Sequence, residues 1–426
     1  MKKVAFTIVT KNYIGLAKTL KNSLYRYNKD VDFFIFIADD FDETTKINLE
    51  DQGGNFLISK NVLPIDENTW DELSFKYNLV EFCTALKPFC FKYLMDFLGY
   101  GKVIYFDPDI LVYNSLDSIY EKLDTSVMLL TPHILYMEED FTGDVPDYLF
   151  LKYGTFNLGF IGLRKSEKIT SVLNWWAKRL VKYSFFDDER GLATDQKWAA
   201  FFPIFLSSEE LEISADLGLN IAPWNFHERK IVNIGDTLYV IPRAEKNKEK
   251  FELVFMHFSS YKQNEIQNGL YKELKYDDLK IAFDVYKDAL NNENIQDFWG
   301  LSYSYQYFNN GQLISDFNRR VYRKCLDTNY FSSKNNPFET SENSFYHLLK
   351  KNKLLTKHIV NFNSGHVGRN SIANANKKNK RLIIMQLMSK FLLTMLGVDR
   401  FSFFVKNAAK YFTFENQAHL IDKKIN

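Results

Sequence analysis

The chain of 426 residues has few cysteines, almost no net charge and no long apolar segment at its start. Its three cysteines show no C-x-x-C spacing, so neither a disulfide framework nor a zinc knuckle is indicated. The net charge of the whole molecule is only +1, so its overall charge does not indicate nucleic-acid binding. The first apolar run, 4–10, has only the length of a strand, which excludes a secretory signal and predicts a cytoplasmic protein.

The first forty residues follow a strand–helix–strand pattern. Val4–Thr10 and Asp32–Ala38 are apolar runs that predict strands, and Gly15–Tyr27 between them has the apolar spacing of an amphipathic helix. This β-α-β opening predicts an α/β fold with a parallel sheet and a right-handed crossover. No G-x-G-x-x-G follows the first strand, so the usual dinucleotide-binding fingerprint is missing.

The most informative stretch is Lys102–Asn114, KVIYFDPDILVYN. Its apolar run predicts a buried strand that delivers Asp107 and Asp109 at its C-terminal end, and Pro108 suits a strand end. Ligands of open α/β sheets gather beyond the carboxyl ends of the strands, and a carboxylate pair suits a hard divalent cation. Read alone, the D-x-D motif equally fits a strand that ends in a solvated turn.

A helical stretch precedes this strand. Residues 75–98 keep a helical period, with Pro88 predicted as a kink or break between two helices. Lys87 lies at that point and has two interpretations: a solvated helix lysine, or a cation that reaches phosphates near the aspartate pair.

Several motifs follow one another in a characteristic order. They are CTALKPF at 83–89, YFDPDILV at 105–112, FNLGFIGL at 156–163, TDQKW at 194–198 and HFSSYK at 257–262. This order resembles GT-A-fold glycosyltransferases, similar to the family 8 retaining enzymes and related bacterial sugar transferases, over about residues 1–265. The resemblance implies a GT-A-like nucleotide-diphospho-sugar transferase fold, with a mostly parallel central sheet flanked by helices and a C-terminal, mainly helical region.

The resemblance also implies a set of site residues. The implied metal ligands are Asp107, Asp109 and His257, for Mn²⁺ or Mg²⁺, and the implied catalytic residues are Asn157, Asp195 and Gln196. The implied donor-binding residues are Thr10, Asn12, Tyr13, Lys87, Asp107, Asp109 and Lys262. Family 8 enzymes usually have a glycine after the histidine and a Lys-Pro-Trp tail, so the run 259–263, SSYKQ, departs from the pattern around Lys262.

Several residues of these motifs also have a simpler structural explanation. Asp195 could only cap the following helix, and a single histidine on a strand, such as His257, is often a packed or surface residue. The glycines of FNLGFIGL indicate either close approach of a backbone or ligand, or a strand with a bulge.

The segment 217–228, LGLNIAPWNFHE, is predicted to bind the acceptor through Trp224, Asn225 and His227. An aromatic face packs on a sugar ring and polar groups meet its hydroxyls. The alternative is a packed tryptophan with a surface histidine.

After residue 265 the pattern becomes helical. We predict a catalytic domain at 1–265, a helical extension at 266–331, a linker at 332–344 and a basic, amphipathic helical region at 345–426. Between Lys377 and Lys410 eight basic residues face one acid, Asp399. The apolar run 382–398 is short and interrupted for a membrane span, so 377–414 is predicted to lie on an anionic membrane surface. A buried helix of a C-terminal domain is the alternative.

These observations predict a metal-dependent glycosyltransferase of the hexosyltransferase type. It would move a sugar from a nucleotide-diphosphate sugar to a glycan or glycolipid acceptor, with retention, in cell-surface polysaccharide synthesis and at the inner face of the membrane. A haloacid-dehalogenase-type phosphatase also uses D-x-D, but on the first strand of its domain, and Leu111 here fills the position of its usual Thr or Val. A non-catalytic scaffold with the same fold is the third reading.

Overall fold

The computed structural model describes residues 1–41, 45, 47–244, 249–271, 274–328, 336–355, 380–412, 414, 417 and 420. These residues fall into two compact units. The first unit comprises Met1–Ile65 and Leu79–Ser304, and the second comprises Asp66–Asn78 and Tyr305–Asn426.

The regular elements are numbered in chain order. The strands are β1 (Lys3–Val9), β2 (Asp32–Ile37), β3 (Asn55–Ile58), β4 (Lys102–Phe106), β5 (Ile110–Val112), β6 (Met128–Leu130), β7 (Phe160–Arg164), β8 (Phe186–Asp187), β9 (Leu192–Ala193), β10 (Leu211–Ile213), β11 (Arg229–Ile234), β12 (Thr237–Pro242), β13 (Phe251–Glu252) and β14 (Phe255–His257). The helices are α1 (Ile14–Tyr27), α2 (Ser59–Val62), α3 (Glu67–Lys76), α4 (Leu79–Lys92), α5 (Asp117–Thr125), α6 (Tyr148–Tyr153), α7 (Glu167–Tyr183), α8 (Phe202–Phe205), α9 (Gln263–Gln267), α10 (Lys280–Asn292), α11 (Gln296–Trp299), α12 (Asp316–Asp327), α13 (Phe345–Lys351) and α14 (Lys380–Tyr411). Short 3₁₀ helices lie at Lys11–Tyr13, Glu50–Gln52, Gln196–Phe201 and Asp277–Leu279, and a π-helical turn at Tyr93–Phe97.

The first unit is built on a seven-stranded sheet with the order β10-β6-β7-β4-β1-β2-β3. Strands β1, β2, β3 and β4 pair in parallel, as do β6 and β10, whereas β7 runs antiparallel to both of its neighbours. The predicted α/β class with a mostly parallel central sheet flanked by helices is therefore confirmed. Because β1 and β4 are parallel neighbours, the residues that follow them, Thr10 and Asp107, lie at the same edge of the sheet.

The central strands are mostly apolar and almost wholly buried because both faces of the sheet are covered. Residues 4–9 of β1 and 102–106 of β4 are all buried. The opening strand–helix–strand unit matches its prediction to within one residue at each boundary.

Pro88 does not divide the helix that carries Lys87. Helix α4 continues through Pro88 to Lys92, and the break in the stretch 75–98 falls earlier, between Lys76 and Leu79. The predicted break at Pro88 is wrong because the flanking residues Leu86, Cys90 and Phe91 are buried, and their packing outweighs the missing backbone donor.

The second unit has its own aromatic and arginine core. The ring of Phe75 lies 4.7 Å from that of Tyr322 and 5.6 Å from that of Phe345. The buried guanidinium of Arg319 donates to the carbonyl oxygens of Ser74 (3.1 Å) and Tyr77 (2.9 Å). Helix α3 ends at Lys76, so Arg319 satisfies carbonyl groups that the end of a helix leaves unpaired.

Helix α14 carries apolar side chains in solvent. Ile384, Leu387 and Phe391, spaced to lie on one side, are 56%, 62% and 64% exposed. Gly397, with φ of 71°, interrupts the helix. None of the helices in the described part of the chain has both the length and the apolar character needed to cross a bilayer. Residues 332–335 of the predicted linker, and 377–379 and 413 of the predicted membrane segment, lie outside the described residues.

Candidate functional site

The two aspartates follow β4 in a tight turn. The backbone N–H of Asp107 donates to the carbonyl of Gly159 (2.7 Å), which continues the β4–β7 ladder by one residue. The N–H of Ile110 then donates to the carbonyl of Asp107 (3.2 Å), and β5 begins. The turn therefore presents Asp107 and Asp109 together at the carboxyl end of β4, as the sequence predicted.

His257 reaches the same place through a small antiparallel pair. Strand β14 pairs with β5, with His257 opposite Ile110, and the N–H of Phe258 donates to the carbonyl of Asp109 (2.9 Å). As a result Nε2 of His257 lies 3.0 Å from Oδ1 of Asp109 and 3.9 Å from Oδ2 of Asp107. The segments that carry Asp109 and His257 are therefore joined by backbone pairing between β5 and β14.

These three side chains form a candidate metal site. One oxygen from each carboxylate and one imidazole nitrogen lie within 4.8 Å of one another, and no other group of three His, Cys, Asp or Glu side chains among the described residues comes together in this way. Two carboxylate oxygens and one imidazole nitrogen are a donor set that Mn²⁺ accepts readily and Mg²⁺ accepts through oxygen. The donor chemistry of the residues therefore fits the predicted cofactor.

The charges at the site are strongly coupled. Burial raises the pKa of Asp107, against the opposing effects of Lys87 and His257. Burial lowers the pKa of His257, but the charge of Asp109 and its hydrogen bond outweigh burial, so the net pKa is raised. The hydroxyl of Tyr105 donates to Oδ1 of Asp107 (2.5 Å), which fixes this carboxylate from the strand side.

Gly159 leaves room for the metal ligands. A Cβ atom at this position would lie 2.5 Å from Cε1 of His257 and 2.8 Å from both Oδ2 of Asp107 and Oδ1 of Asn157. Real Cβ contacts are longer, so any other residue would push these side chains apart. Gly159 precedes β7 in a turn, and its role is the close approach that the sequence indicated.

Lys87 and Asp195 form a buried ion pair beside the aspartates. Nζ of Lys87 lies 2.5 Å from Oδ2 of Asp195 and donates to the carbonyl of Leu158 (2.8 Å). The same ammonium lies 4.2 Å from the centre of the Tyr105 ring. Lys87 is only 2% exposed, which excludes the solvated-lysine interpretation, and Asp195 makes no side-chain cap for the 3₁₀ helix that follows it.

Asn157 and Gln196 are linked by an amide network. Oε1 of Gln196 accepts from the N–H of Leu158 (3.2 Å) and from Nδ2 of Asn157 (3.4 Å). Oδ1 of Asn157 accepts from the N–H of Gly159 (3.2 Å) and from Nδ2 of Asn220 (3.1 Å). The three residues expected to be catalytic, Asn157, Asp195 and Gln196, are therefore all held against the turn that carries Gly159.

The predicted donor residues divide into two groups. Thr10 and Asn12 follow β1, and the hydroxyl of Thr10 donates to Oδ1 of Asn12 (2.5 Å). Partial burial and, after it, the charge of Asp109 raise the pKa of the Tyr13 phenol, although 37% of this residue remains exposed. Lys262 lies apart from them: its side chain is 74% exposed and pairs with Glu265 (2.8 Å).

The predicted acceptor residues occupy three different environments. Trp224 packs edge-on against His257, with ring centroids 5.3 Å apart. The amide of Asn225 is fully buried and bonds within its own loop to Ala222 and Asn220. His227 is buried against Phe141, and neither of its ring nitrogens has a hydrogen-bond partner among the described residues.

Sequence reasoning missed three residues near the site. The sequence predicts Tyr105 only as a buried residue of β4. It gives no local indication of a role for Asn220 or His133. His133 stacks on Phe150 (5.0 Å) and lies edge-on to Trp224 (5.1 Å). Only Tyr105 could have been predicted from the sequence. It precedes Asp107 by two residues, so the two side chains lie on the same face of the strand.

The chain was compared with known families, curated proteins and solved structures. No family model matches the chain. The uncharacterized protein YfnF of Bacillus subtilis (strain 168) is 25% identical over 292 residues, which span 67% of this chain and 90% of that protein. Galactosyltransferase LgtC, solved in complex with donor and acceptor sugar analogues, aligns at 17% identity with a TM-score of 0.38, over 68% of this chain and 95% of LgtC.

A second solved structure is the glycosyltransferase GlyE of Streptococcus pneumoniae TIGR4. It aligns at 16% identity with a TM-score of 0.36, over 77% of this chain and 74% of GlyE. Both solved proteins are described as glycosyltransferases.

Proposed function

We propose that this chain is a metal-dependent glycosyltransferase that uses a nucleotide-diphosphate sugar as donor. The observation that carries the proposal is the group Asp107, Asp109 and His257 at the carboxyl end of β4. Beside it lie the buried Lys87–Asp195 pair and the residues that follow β1. A carboxylate-rich metal site next to the first β-α turn of an α/β sheet is a suitable place for a nucleotide diphosphate.

Asp107, Asp109 and His257 would hold the cation, Mn²⁺ or Mg²⁺. When bound, the cation would neutralise the negative charge that develops on the diphosphate as it leaves. Tyr105 fixes one carboxylate by its hydrogen bond, and Gly159 keeps space for all the ligands. Thr10, Asn12 and Tyr13 would contact the nucleoside, because they follow the strand adjacent to β4.

The Lys87–Asp195 pair and the amide network would position the sugar. Asp195 is held by Lys87 and by the hydroxyl of Thr194 (3.0 Å), so its orientation is set before any substrate binds. Gln196 and Asn157 hold one another, and both would offer amide groups to the sugar near its anomeric carbon. Groups fixed in advance lower the barrier because they need no reorganisation during reaction.

We further propose retention at the anomeric carbon and a glycan or glycolipid acceptor. Retention follows the family 8 resemblance, in which the sugar is attacked on the face of the leaving group. Trp224 would contact the acceptor; its support is that the ring, 7% exposed, packs against His257. Lys262 would contact the diphosphate after exchanging its exposed ion pair with Glu265 for the phosphates. The biological role proposed is synthesis of cell-surface polysaccharide.

We also propose that the C-terminal segment 377–414 associates with an anionic membrane. Its support is the exposed apolar stripe of α14 together with the excess of basic residues in this segment. An interfacial helix with these features binds by apolar burial and by attraction to anionic lipids.

A panel of nucleotide-diphosphate sugars tests the proposed reaction. The protein is incubated with each donor, with and without Mn²⁺ or Mg²⁺, and release of the nucleoside diphosphate is measured. A glycosyltransferase hydrolyses at least one donor slowly in a metal-dependent way. A haloacid-dehalogenase-type phosphatase would instead release phosphate from a generic phosphate ester, and a non-catalytic scaffold would do neither. Either of these two results would contradict the proposal.

A further inference from the structure

A cluster of aromatic side chains lies on the outer side of α7 and on the segment 198–205 that follows the site. The ring of Trp175 is its centre, with centroids 5.8 Å from Trp198, 5.7 Å from Phe201 and 4.8 Å from Phe205. Tyr183 extends the group, 6.3 Å from Trp198. We call these five residues the aromatic patch.

The aromatic patch is not needed to fill the core. The opposite side of α7 already packs inward through Trp176, which is 1% exposed and lies 5.5 Å from the buried Phe202. Outward, Phe201 remains 42% exposed and its neighbour Ile204 is 74% exposed. Contiguous large apolar side chains in solvent indicate an interaction surface rather than a packing requirement.

The apolar surface continues onto α6. The ammonium of Lys197 donates to the carbonyl of Leu151, which joins the 3₁₀ helix Gln196–Phe201 to α6. Leu151 is 72% exposed and Tyr148, on the same helix, is 63% exposed. The patch therefore has aliphatic side chains at its margin as well as aromatic ones.

The rim of the aromatic patch is basic. The last ten residues of α7 contain Lys178, Arg179 and Lys182 and no acid. The guanidinium of Arg179 lies 5.5 Å from the centre of the Trp175 ring. Neither Lys178 nor Lys182 has an ion-pair partner within the described ranges, so their charges are available to an anionic surface.

The nearest acidic residues do not cancel this charge. Asp188 pairs with Lys152 (2.7 Å), and Asp187 accepts from the backbone N–H of Arg190 (3.1 Å). Glu189 is exposed beside them but adds one negative charge against three basic residues on α7. The C-terminal half of α7 therefore keeps three basic residues and no acid beside the aromatic patch.

We propose that the aromatic patch and its basic rim bind the surface of a bilayer that contains anionic lipids. Tryptophan and tyrosine rings settle at the level of lipid headgroups, and lysine and arginine near the surface add electrostatic attraction. Ile204 and Phe201 would enter the boundary between headgroups and acyl chains. A glycan platform fits less well, because Ile204 and Leu151, the most exposed side chains of this face, offer neither a ring face nor a hydrogen-bonding group.

This surface begins at the candidate site. Gln196, which accepts from the N–H of Leu158, starts the 3₁₀ helix that carries Trp198 and Phe201. A bilayer on the aromatic patch would lie beside the element that helps to form the site. An acceptor attached to a lipid would then be presented where it reacts; this consequence rests on the proposed function, whereas membrane binding does not.

Vesicle flotation with the full chain tests the proposal. Vesicles of mixed phosphatidylcholine and phosphatidylglycerol are compared with phosphatidylcholine alone, for wild type, Phe201→Ser/Ile204→Ser and the control Ile234→Ser. Ile234 is an exposed isoleucine of the β11–β12 hairpin in the same unit. We expect wild type and the control to float with anionic vesicles, and the double variant to bind about tenfold more weakly.

A second pair of variants tests the charge without touching any ring. Lys178→Glu/Lys182→Glu alters exposed side chains only, and it should weaken flotation with anionic vesicles most at low salt. The exposed Lys230→Glu is its control. Thermal unfolding of each variant checks that the fold is kept.

Three results would overturn the proposal. Wild type that does not float with anionic vesicles rules out the membrane as partner. Undiminished flotation of both double variants would assign binding to another segment, such as 377–414. If Phe201→Ser/Ile204→Ser lost turnover on soluble oligosaccharide acceptors but floated like the wild type, the aromatic patch would be a glycan-binding surface instead.

Discussion

The ammonium of Lys87 lies 2.5 Å from the carboxylate of Asp195, and both side chains are almost completely buried. The two residues are 108 positions apart in sequence and come from α4 and from the residue before a 3₁₀ helix. A buried ion pair contributes little net stability, but removal of one partner leaves an uncompensated charge in the interior. The main effect of the pair is therefore to fix the positions of Lys87 and Asp195 beside the candidate site.

Lys87→Met should destabilise the first unit by about 3–5 kcal/mol, because Asp195 would keep a buried charge without a cation. Lys87→Met/Asp195→Asn should recover much of that loss, and both variants should lose donor turnover. The matched control is Lys152→Met, which removes a similarly close (2.7 Å) but exposed pair with Asp188 and should cost less than about 1 kcal/mol. Equal shifts in thermal midpoint for the two single variants would show that Lys87 is not a buried partner.

Gly159→Ala should weaken Mn²⁺ binding by about ten- to a hundredfold, because the new methyl group would displace His257, Asn157 and Asp107. The measurement is metal titration by calorimetry, with thermal unfolding in metal-free buffer as a check of the fold. Gly300→Ala is the control, since no atom lies within 4 Å of the position of its Cβ. Wild-type affinity in Gly159→Ala would mean that the three ligands do not meet as described.

The buried His133 should make stability depend on pH. Burial lowers its pKa to about 4, whereas a histidine in an unfolded chain has a pKa of about 6.5. Between these values the unfolded state binds more protons, so this contribution is complete above about pH 6.5 and is lost as the pH falls toward 4. The full loss is about 3 kcal/mol.

His133→Phe keeps a ring against Phe150 and cannot be protonated. The thermal midpoint of the wild type should therefore fall more than that of the variant as the pH falls from 7 to 5. Parallel pH profiles for the two proteins would refute the assignment of a lowered pKa to His133.

Removal of residues 377–426 should reduce association with anionic vesicles. It deletes the eight basic residues between Lys377 and Lys410 together with the apolar stripe of α14. Donor hydrolysis serves as the control, since the candidate site lies wholly in the first unit. A truncated chain that floats as well as the full chain would end the proposal for this segment.

The sheet edge and its ligands could be predicted from the sequence because each signal was local. Asp107 and Asp109 follow a short apolar run, β4, that ends at one edge of the parallel sheet. His257 ends a similar apolar run, β14, which reaches the same place through its antiparallel pairing with β5. The β-α-β opening could be predicted for the same reason, because its apolar residues follow first a strand, then a helix and then a strand pattern.

Other parts of the site depended on contacts that no local pattern encodes. Lys87 looks like any helix lysine until the fold brings Asp195 beside it, and Pro88 is tolerated in α4 because of the packing around it. Asn220 adopts a φ of 56° in a loop and bonds to Asn157 from there, which only the tertiary structure reveals.

Asp109→Asn gives the most direct test of the account. The variant keeps the size and the hydrogen-bonding capacity of the side chain but removes the charge that a divalent cation requires. Nucleoside diphosphate release from the donor that wild type hydrolyses is measured at saturating Mn²⁺, beside the control Asp236→Asn on the exposed β11–β12 turn. We predict an unchanged thermal midpoint in the absence of metal and a loss of metal-dependent turnover of about 10²–10³-fold in Asp109→Asn alone. Turnover equal to wild type at saturating Mn²⁺ would contradict the site.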